Sequence, residues 1–236
     1  MYQGQTVAVI IPALDEETTI VAVVEGLDRQ VVDRVIVADN GSGDDTAARA
    51  RAAGAEVVLE PRKGYGRACL RALGRASDVD LVVFIDGDGA DDPAELTLLL
   101  ERLLLDELDL VIGSRALGQS EHGALTPVQR FGNALSCALV RWLWGVRYTD
   151  LGPYRAIRRR ALQRLQMTEP AHGWTIEMQV KAAQRGLRVG EVPVSYRARR
   201  GGRSKVSGTL LGSYRAGRRI LGYVLGAKLS ELMRSR

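Results

Sequence analysis

Residues 81–89 read LVVFIDGDG, five apolar residues followed by two aspartates that a glycine separates. A short run rich in Val and Ile is typical of a strand buried on both faces of a parallel sheet. Ligands of open parallel sheets bind where the strands end at their carboxyl side. Asp86 and Asp88 are therefore predicted to face a ligand.

Similar apolar runs lie on both sides of this stretch, with helix-like segments between them. The predicted strands are Thr6–Ile11, Arg34–Ala38, Glu56–Leu59, Leu81–Ile85 and Leu110–Ile112. The predicted helices are Glu16–Leu27, Asp45–Ala53, Tyr65–Arg75 and Pro93–Leu105. Strands that alternate with helices favour a parallel sheet with right-handed crossovers, so the predicted fold class is α/β.

The second half of the chain departs from this alternation. Its predicted helices are Val128–Gly145, Arg158–Leu165 and Trp174–Gln184, and Val189–Ser195 is predicted to be a strand. Arg197–Ser207 is too basic and too rich in glycine for a core element, so a loop or hairpin is expected there. From Ser207 onward, apolar and basic residues recur with the spacing of an amphipathic helix.

Length and composition restrict the classes of protein that the chain can belong to. Its 236 residues suit one large domain or two small ones, and 46 % apolar residues can form a substantial core. Cys69 and Cys137 lie in apolar, helix-like contexts, which predicts buried thiols in a reducing compartment. No apolar run approaches the ~20 residues that span a bilayer, and the early run Val7–Ile11 is too short for a signal peptide.

The net charge of +5 is unevenly distributed. From Arg197 to the end there are eleven Lys or Arg and one acid, which gives the tail about +10 and the rest about −5. A basic tail indicates an anionic partner, and a membrane surface is the preferred one here. If the tail is not what contacts the membrane, the helix around Phe131–Trp144 is the alternative. Trp142 and Trp144 either pack internally or face lipid. A non-catalytic protein that binds nucleic acid or another anionic surface is the rival class, but no nucleic-acid module is visible, so we expect no nucleic acid.

Acidic turns follow three of the predicted strands, at residues 12–16 (PALDE), 39–42 (DNGS) and 86–89 (DGDG). One such turn is weak evidence of a site, because Asp, Asn and Gly are common turn residues. Three turns at one sheet edge predict a ligand site. The glycine loops that bind phosphates in P-loop or dinucleotide-binding proteins are missing, so a carboxylate-held Mg²⁺ or Mn²⁺ is predicted to bind the substrate phosphates.

Taken in order, these turns and several later segments resemble the inverting glycosyltransferase family two, which has the GT-A fold. The segments that carry the resemblance are 11–17 (IPALDEE), 37–44 (VADNGSGD), 84–88 (FIDGD), 113–115 (GSR), 130–133 (RFGN), 149–155 (TDLGPYR), 173–178 (GWTIEM) and 201–205 (GGRSK). They cover nearly the whole chain. Within the family the chain is most similar to polyprenyl-phosphate sugar synthases of the dolichol-phosphate mannose synthase type.

The resemblance implies a Rossmann-like, mainly parallel sheet flanked by helices in residues 1–206, followed by a basic amphipathic helix, 207–236. Residues 1–115 would form the half that binds the nucleotide sugar and metal, and 116–206 the acceptor half. The implied donor site consists of Pro12, Ala13, Asp15, Glu16, Asp39, Lys63, Asp86, Gly87 and Asp88. The family usually has Asn at the position of Asp15.

The metal would be held by Asp86 and Asp88. The family often places Gln two residues after the second Asp, where this chain has Ala90, so Asp91 is the candidate third ligand. The residues that the resemblance implies for the acceptor phosphate are Arg115, Arg130, Arg199, Ser204 and Lys205.

The predicted reaction is metal-dependent transfer of a sugar, with inversion, from a nucleotide sugar to a polyprenyl (dolichyl or undecaprenyl) phosphate. Such a phosphate is already an anion near pH 7, since its second pKa is about 6, so it needs no general base. An alcohol acceptor, the alternative, would need one. Asp150 and Glu177 are the candidates, although Glu177 fits a helical ion pair equally well. The predicted catalytic residues are therefore Asp88, Arg115, Asp150 and Glu177. The protein is expected to be cytoplasmic and to bind peripherally to the cytoplasmic face of the membrane. Whether it needs a membrane-protein partner is left open by the sequence.

Overall fold

The structure, a computed structural model, describes residues 1–199 and 210–234, with side chains for 1–199 and 220–233. Its strands are β1 (Val7–Ala13), β2 (Arg34–Asp39), β3 (Glu56–Leu59), β4 (Leu81–Phe84), β5 (Leu110–Ser114), β6 (Arg155–Arg158) and β7 (Val189–Pro193). Its α-helices are α1 (Ile20–Glu25), α2 (Thr46–Ala52), α3 (Tyr65–Leu73), α4 (Leu96–Leu105), α5 (Pro127–Trp144), α6 (Arg159–Leu165), α7 (Trp174–Gln184) and α8 (Leu210–Arg234). A short 3₁₀ helix, Pro93–Glu95, precedes α4, and Asp92 caps it as its side chain accepts a hydrogen bond from the Ala94 amide.

The strands form one seven-stranded sheet in the order β3-β2-β1-β4-β6-β5-β7. All neighbouring pairs are parallel except those of β6, which is antiparallel to both β4 and β5. The predicted α/β fold with a mainly parallel sheet flanked by helices is confirmed. Because β2, β1 and β4 are neighbours, the three acidic turns do lie at one edge of the sheet.

Strand β6 was not predicted, because a four-residue stretch with arginine at both ends does not look like the middle of a sheet. Arg155 is nevertheless fully buried. Its guanidinium donates hydrogen bonds to the Gly152 and Thr175 carbonyl oxygens, which replace the water it loses. Burial lowers the pKa of Arg155 to about 10. Only tertiary contacts make this strand acceptable in the core.

Helix α1 begins at Ile20, later than the predicted Glu16. Asp15 has a φ of +51°, in the left-handed region that Asn and Asp tolerate better than most residues. The Glu16 amide then donates to the Thr46 hydroxyl at 2.8 Å instead of starting a helix. This left-handed turn keeps the acidic residues of 12–16 at the edge of the sheet.

Side chains that alternate along the strands form two cores, one on each face of the sheet. One core contains Ile10 and Phe84 with residues from α3, α5, α6, α7 and α8, and the other contains Val9 and Val83 with residues from α1, α2 and α4. Both cysteines are buried thiols, as predicted. Val224 of α8 is fully buried in the first core, so the end of the chain is packed against the domain. Within the described residues, no helix combines the length and apolarity needed to cross a membrane.

Helix α3 approaches the loop before α7 closely at Gly66. A Cβ atom at Gly66 would lie 1.9 Å from the Glu169 carbonyl oxygen, and the neighbouring Arg67 amide donates to the Pro170 carbonyl at 3.0 Å. We expect Gly66→Ala to lower the free energy of unfolding by about 1–3 kcal/mol through overpacking. Urea unfolding measures this. Gly132→Ala is the control: nothing lies within 4 Å of its Cβ position in α5, so it should be stabilising by about 0.5–1 kcal/mol. A Gly66→Ala variant as stable as the wild type would contradict the close approach.

Candidate active site

The turns after β1 and β2 are joined by short hydrogen bonds. The Ser42 hydroxyl donates to an Asp39 carboxylate oxygen at 2.5 Å and accepts from the Asp15 amide at 3.0 Å. The Asp15 carboxylate accepts from the Gly43 amide at 2.8 Å. Lys63 donates to the Gly41 carbonyl at 2.7 Å and so borders the same turn. The predicted donor residues of these two turns therefore lie together.

The turn after β4 completes this edge. Asp86 accepts a hydrogen bond from the Tyr65 hydroxyl at 2.8 Å, which brings the first residue of α3 into the site. Gly87 is buried behind the turn, where its carbonyl accepts from the Thr19 hydroxyl at 2.8 Å. Burial and the neighbouring charge of Asp88 raise the pKa of Asp86 to about 7. Tyr65 was not predicted as a site residue, since a tyrosine that begins a helix carries no such signal.

Asp91 is the most unusual residue of the site. Its side chain is 1 % exposed, and neither carboxylate oxygen has a hydrogen-bond partner among the described residues. Burial, with the charges of Asp86 and Asp88 acting in the same direction, raises the pKa of Asp91 well above its ordinary value. Leaving a buried polar group without a partner costs about 1–3 kcal/mol, and more if the group is charged. A carboxylate kept in this state indicates a cation or ligand that binds there.

The donor set suits a hard divalent cation, because Mg²⁺ and Mn²⁺ prefer oxygen ligands and accept substrate phosphates alongside carboxylates. Within residues 1–199 and the described part of α8, no three acidic, histidine or cysteine side chains lie close enough together to hold a metal ion by themselves. Asp86, Asp88 and Asp91 could therefore supply only part of a coordination shell, and phosphate oxygens would have to supply more. The unpartnered oxygens of Asp91 fit that arrangement.

A cationic side chain lies on this acidic cluster. The Arg199 guanidinium contacts an Asp88 oxygen at 2.8 Å and a Glu16 oxygen at 3.0 Å. The segment before it is fixed by backbone hydrogen bonds, since the Arg197 amide donates to the Ala90 carbonyl and the Tyr196 amide to the Gln119 carbonyl. Arg199 was predicted to bind the acceptor phosphate, and its observed partners are carboxylates of the donor side. The other two residues of that predicted loop, Ser204 and Lys205, lie outside the described residues.

Arg115, at the end of β5, forms a two-pronged ion pair with Asp150. Its Nε and Nη2 atoms each lie 2.7 Å from a different Asp150 oxygen, and its backbone amide donates to the same carboxylate at 2.8 Å. The ring of Tyr196 lies below the guanidinium, 4.9 Å from ring centroid to Cζ. Burial by itself would lower the pKa of Arg115, but the pairing with Asp150 outweighs it and raises this pKa. Asp150 thus fixes a permanently charged guanidinium at the active edge.

The segment that carries Asp150 is held from three sides. Glu191 of β7 accepts hydrogen bonds from the Thr149 amide and hydroxyl, both at 2.9 Å. Asn133 of α5 donates to the Thr149 carbonyl and accepts from the Leu151 amide. Gln179 of α7 donates to the Asp150 carbonyl at 2.9 Å. Sequence reasoning missed Glu191 and Gln179, because their role depends on partners about 30–40 residues away in the chain.

Beside Arg115 lies a cavity of about 710 Å³. Its wall is formed by the loop after β5, the first half of α5 and the start of the described part of α8, including Arg130, Val128 and Ile220. His122 and Glu121 also line it. His122 was not among the predicted site residues, and the signal that it borders a site is its position in a glycine-containing loop that follows the end of β5.

Glu177 is not brought into the site. It is fully buried in α7, and its carboxylate accepts hydrogen bonds from Thr168 and the Glu169 amide. Lys181, one turn later, lies 2.8 Å away. None of these partners lines the cavity. The predicted alternative, an ion pair within the helix, matches this arrangement.

Comparison with known proteins gives consistent results. The profile of "Glycosyl transferase family 2" matches residues 8–166. An uncharacterized glycosyltransferase of Mycobacterium tuberculosis is 39 % identical over 89 % of this chain and 94 % of its own length. A dolichyl-phosphate hexose transferase of Haloferax volcanii is 33 % identical over 85 % of this chain and 86 % of its own.

Among solved structures, glucosyl-3-phosphoglycerate synthase of M. tuberculosis, in complex with Mn²⁺, UDP-glucose and phosphoglyceric acid, superimposes with a TM-score of 0.78. It is 30 % identical, and the match covers 95 % of this chain and 80 % of that one. The profile match spans well over half of the sequence, and the acidic turns that carry the site fall within it. The chain therefore belongs to glycosyl transferase family 2.

Proposed function

We propose that this glycosyltransferase moves a sugar from a nucleotide-sugar donor to an acceptor that bears a phosphate, with Mg²⁺ or Mn²⁺ bound beside β4. The observation that carries the proposal is the side chain of Asp91. This carboxylate is buried beside Asp86 and Asp88, and in the part of the chain that the structure describes it has no hydrogen-bond partner. The solved relative with Mn²⁺ and UDP-glucose supports the same donor chemistry.

The donor would lie along the three acidic turns. Asp39 and Asp15, with Pro12, Ala13, Glu16 and Lys63, would line the nucleoside pocket, and Ser42 fixes the first two. Tyr65, which donates to Asp86, would hold this carboxylate in place for the cation. Asp86, Asp88 and Asp91 would hold the metal, which when bound neutralises negative charge on the departing diphosphate. Arg199 and Arg115 bring fixed positive charges to the same edge.

A polyprenyl phosphate is the acceptor that we favour. Both oxygens of Asp150 already accept hydrogen bonds from Arg115, which makes Asp150 a positioning residue for that guanidinium and a poor proton acceptor. A phosphate acceptor needs no base. Arg115 and Arg130 line the cavity. They would bind the phosphate of the acceptor together with Arg199, Ser204 and Lys205. The similarity to a dolichyl-phosphate hexose transferase supports this choice.

A small hydroxyl acceptor such as phosphoglycerate is the second candidate. Solved relatives contain phosphoglyceric acid, and His122 in the cavity wall could take the proton of a hydroxyl group. This acceptor also carries a phosphate, so the arginines would serve it as well. The two candidates differ in whether the reaction needs a base.

The first prediction concerns the metal. With Mn²⁺, a saturating nucleotide sugar such as UDP-glucose should raise the Tm of the wild type by about 5–10 °C. Asp88→Ala and Asp91→Asn should lose this rise and the transfer activity. Asp91→Asn should nevertheless melt no lower than the wild type in EDTA, since the buried carboxyl group that it replaces makes no hydrogen bond with the described residues. The control is Asp45→Ala, an exposed carboxylate with no capping bond. Full activity in excess EDTA would contradict the proposal.

The second prediction concerns Arg199. A divalent cation must compete with its guanidinium for Asp88. Arg199→Gln should therefore tighten binding of Mn²⁺ in the absence of nucleotide by roughly fivefold, equivalent to about 1 kcal/mol for one ion pair. Calorimetry or the paramagnetic resonance of free Mn²⁺ measures this. Arg197→Gln removes an arginine that pairs with Asp92 and should leave the affinity unchanged. Equal affinities in all three proteins would show that Arg199 does not occupy the cation site.

The third prediction separates the two acceptors. Initial rates are measured with polyprenyl phosphate in detergent and with 3-phosphoglycerate. We expect transfer to the lipid phosphate, a rate that levels off above its second pKa of about 6, and no change in His122→Ala. Arg115→Ala should abolish transfer, whereas Arg147→Ala, outside the cavity, should not. Transfer to 3-phosphoglycerate with a loss of 10²–10⁴-fold, roughly what a general base contributes, in His122→Ala would establish the second candidate instead.

A further inference from the structure

Helix α5 presents an apolar stripe to the outside of the protein. Phe131 is 69 % exposed and Trp142 is 79 % exposed, and Val128, Leu135 and Ala138 occupy the positions between and before them. The spacing of three and four residues places all five on one face. The buried residues of α5, Ser136, Cys137 and Val140, lie on the opposite face. Exposed side chains of this size, arranged contiguously, mark an interaction surface.

The charges of this helix are all positive. Arg130 and Arg141 are exposed, Arg147 follows the helix, and α5 contains no acidic residue. A helix in contact with water on its outer face ordinarily carries charges of both signs there. An outer face that combines aromatic, aliphatic and basic residues and contains no acidic one is typical of a helix that lies in the interface of a membrane.

Helix α8 has a similar outer face. Leu225, Leu229, Leu232 and Met233 are exposed and recur every three or four residues. Val224 is buried and Ile220, Tyr223 and Ala227 pack on the core, so these residues hold the helix to the domain by its other side. Among the described side chains of α8, the two charged ones, Lys228 and Glu231, pair with each other at 2.9 Å.

The two helices lie side by side. Trp144 donates to Glu231 at 2.6 Å, and Lys228 lies 5.5 Å from the centre of the same indole ring. At the other end, Ile220 and the first half of α5 line the same cavity. Along α5, the distance from Asn133 to Trp144 is about 16 Å, and along α8 the distance from Ile220 to Glu231 is about the same. The helices thus run parallel on one core, and we call their outward residues together the α5/α8 face.

This surface meets the acceptor cavity. Val128 is half exposed at the start of the α5 stripe, and it also lines the cavity wall. The cavity wall continues to Arg130 and Arg115, which would bind a phosphate. An apolar chain attached to a phosphate in the cavity would therefore leave it beside the α5/α8 face.

We propose that the α5/α8 face inserts into the headgroup region of an anionic bilayer, so that the acceptor cavity opens at the membrane surface. Membrane insertion follows from the surface alone, and the delivery of a lipid phosphate rests on the proposed function. The occupant is a bilayer rather than a second copy of the chain. Two such faces packed against each other would bring Arg130 and Arg141 close to their equivalents, whereas anionic lipids neutralise them.

The location of Trp142 allows a direct test with the full chain. Vesicles contain phosphatidylglycerol and phosphatidylcholine, with or without lipids brominated along their acyl chains. On binding, wild-type tryptophan emission should shift to shorter wavelength and be quenched by the brominated lipid. Trp174 is buried in the core and Trp144 packs between α5 and α8, so Trp142→Phe should lose most of the quenching. Quenching that is unchanged in Trp142→Phe would overturn the assignment.

A second measurement uses a matched pair of variants. Phe131→Asn with Trp142→Asn should weaken vesicle binding at least tenfold. Leu105→Asn, which alters a residue that is 75 % exposed at the end of α4 on the opposite face of the sheet, should have no effect. Equal vesicle binding by the double variant and Leu105→Asn would overturn the proposal. So would a concentration-dependent dimer of the wild type that the double variant does not form.

The donor site provides the remaining control. The rise in Tm with nucleotide sugar and Mn²⁺ should be the same in the double variant and the wild type, because neither residue lines the cavity or the acidic turns. Loss of vesicle binding with the donor response intact supports the α5/α8 face. A wild-type protein that binds vesicles but shows no donor response would leave this inference standing and overturn the proposed function.

Discussion

The acidic side chains that follow β4 repel one another, and the arrangement of the site depends on that repulsion. Asp86, Asp88 and Asp91 lie within a few residues, and burial strengthens the effect of each charge on the next. Tyr65 and Arg199 offset part of it, while the Asp91 carboxylate has no hydrogen-bond partner within the described residues. A protein without this site would be more stable with apolar residues there. This unfavourable electrostatic repulsion is explained if a cation binds, since the same carboxylates then become its ligands.

The second half of the chain supplies the rigid frame for the opposite charge. Arg115 is positive at any physiological pH, and Asp150 fixes its direction through two parallel hydrogen bonds. Residues from α5, α7 and β7 in turn hold the segment around Asp150. A cationic group held this firmly can meet a phosphate without reorganising, which is what preorganised electrostatic stabilisation requires. Negative and positive groups are thus positioned by separate parts of the fold and meet at one sheet edge.

Packing also changes the interpretation of the basic tail. Its charge predicts a separate amphipathic helix that contacts a membrane through arginines. In the structure, part of α8 is buried in the core beside α5, and the outward residues of both helices are apolar. Deleting such a helix would expose a core surface, so point substitutions on the outer face are the informative changes. Trp144 packs inward and Trp142 outward, although only one residue separates them, because neighbouring helix positions face different directions.

The sequence by itself determined the α/β class, six of the seven strands and the edge at which Asp15, Asp39, Asp86 and Asp88 meet, because strand periodicity and acidic turns are local features. Arg115 was predicted through the resemblance to a known family. Only the tertiary structure decided that β6 lies inside the sheet, that Glu177 is enclosed by Thr168 and Lys181, and that Glu191, Asn133 and Gln179 hold one segment. The physical reason is that these roles are set by burial and by hydrogen-bond partners far away in the chain. No local pattern records which distant carbonyl will satisfy a buried arginine or which carboxylate will remain without a partner.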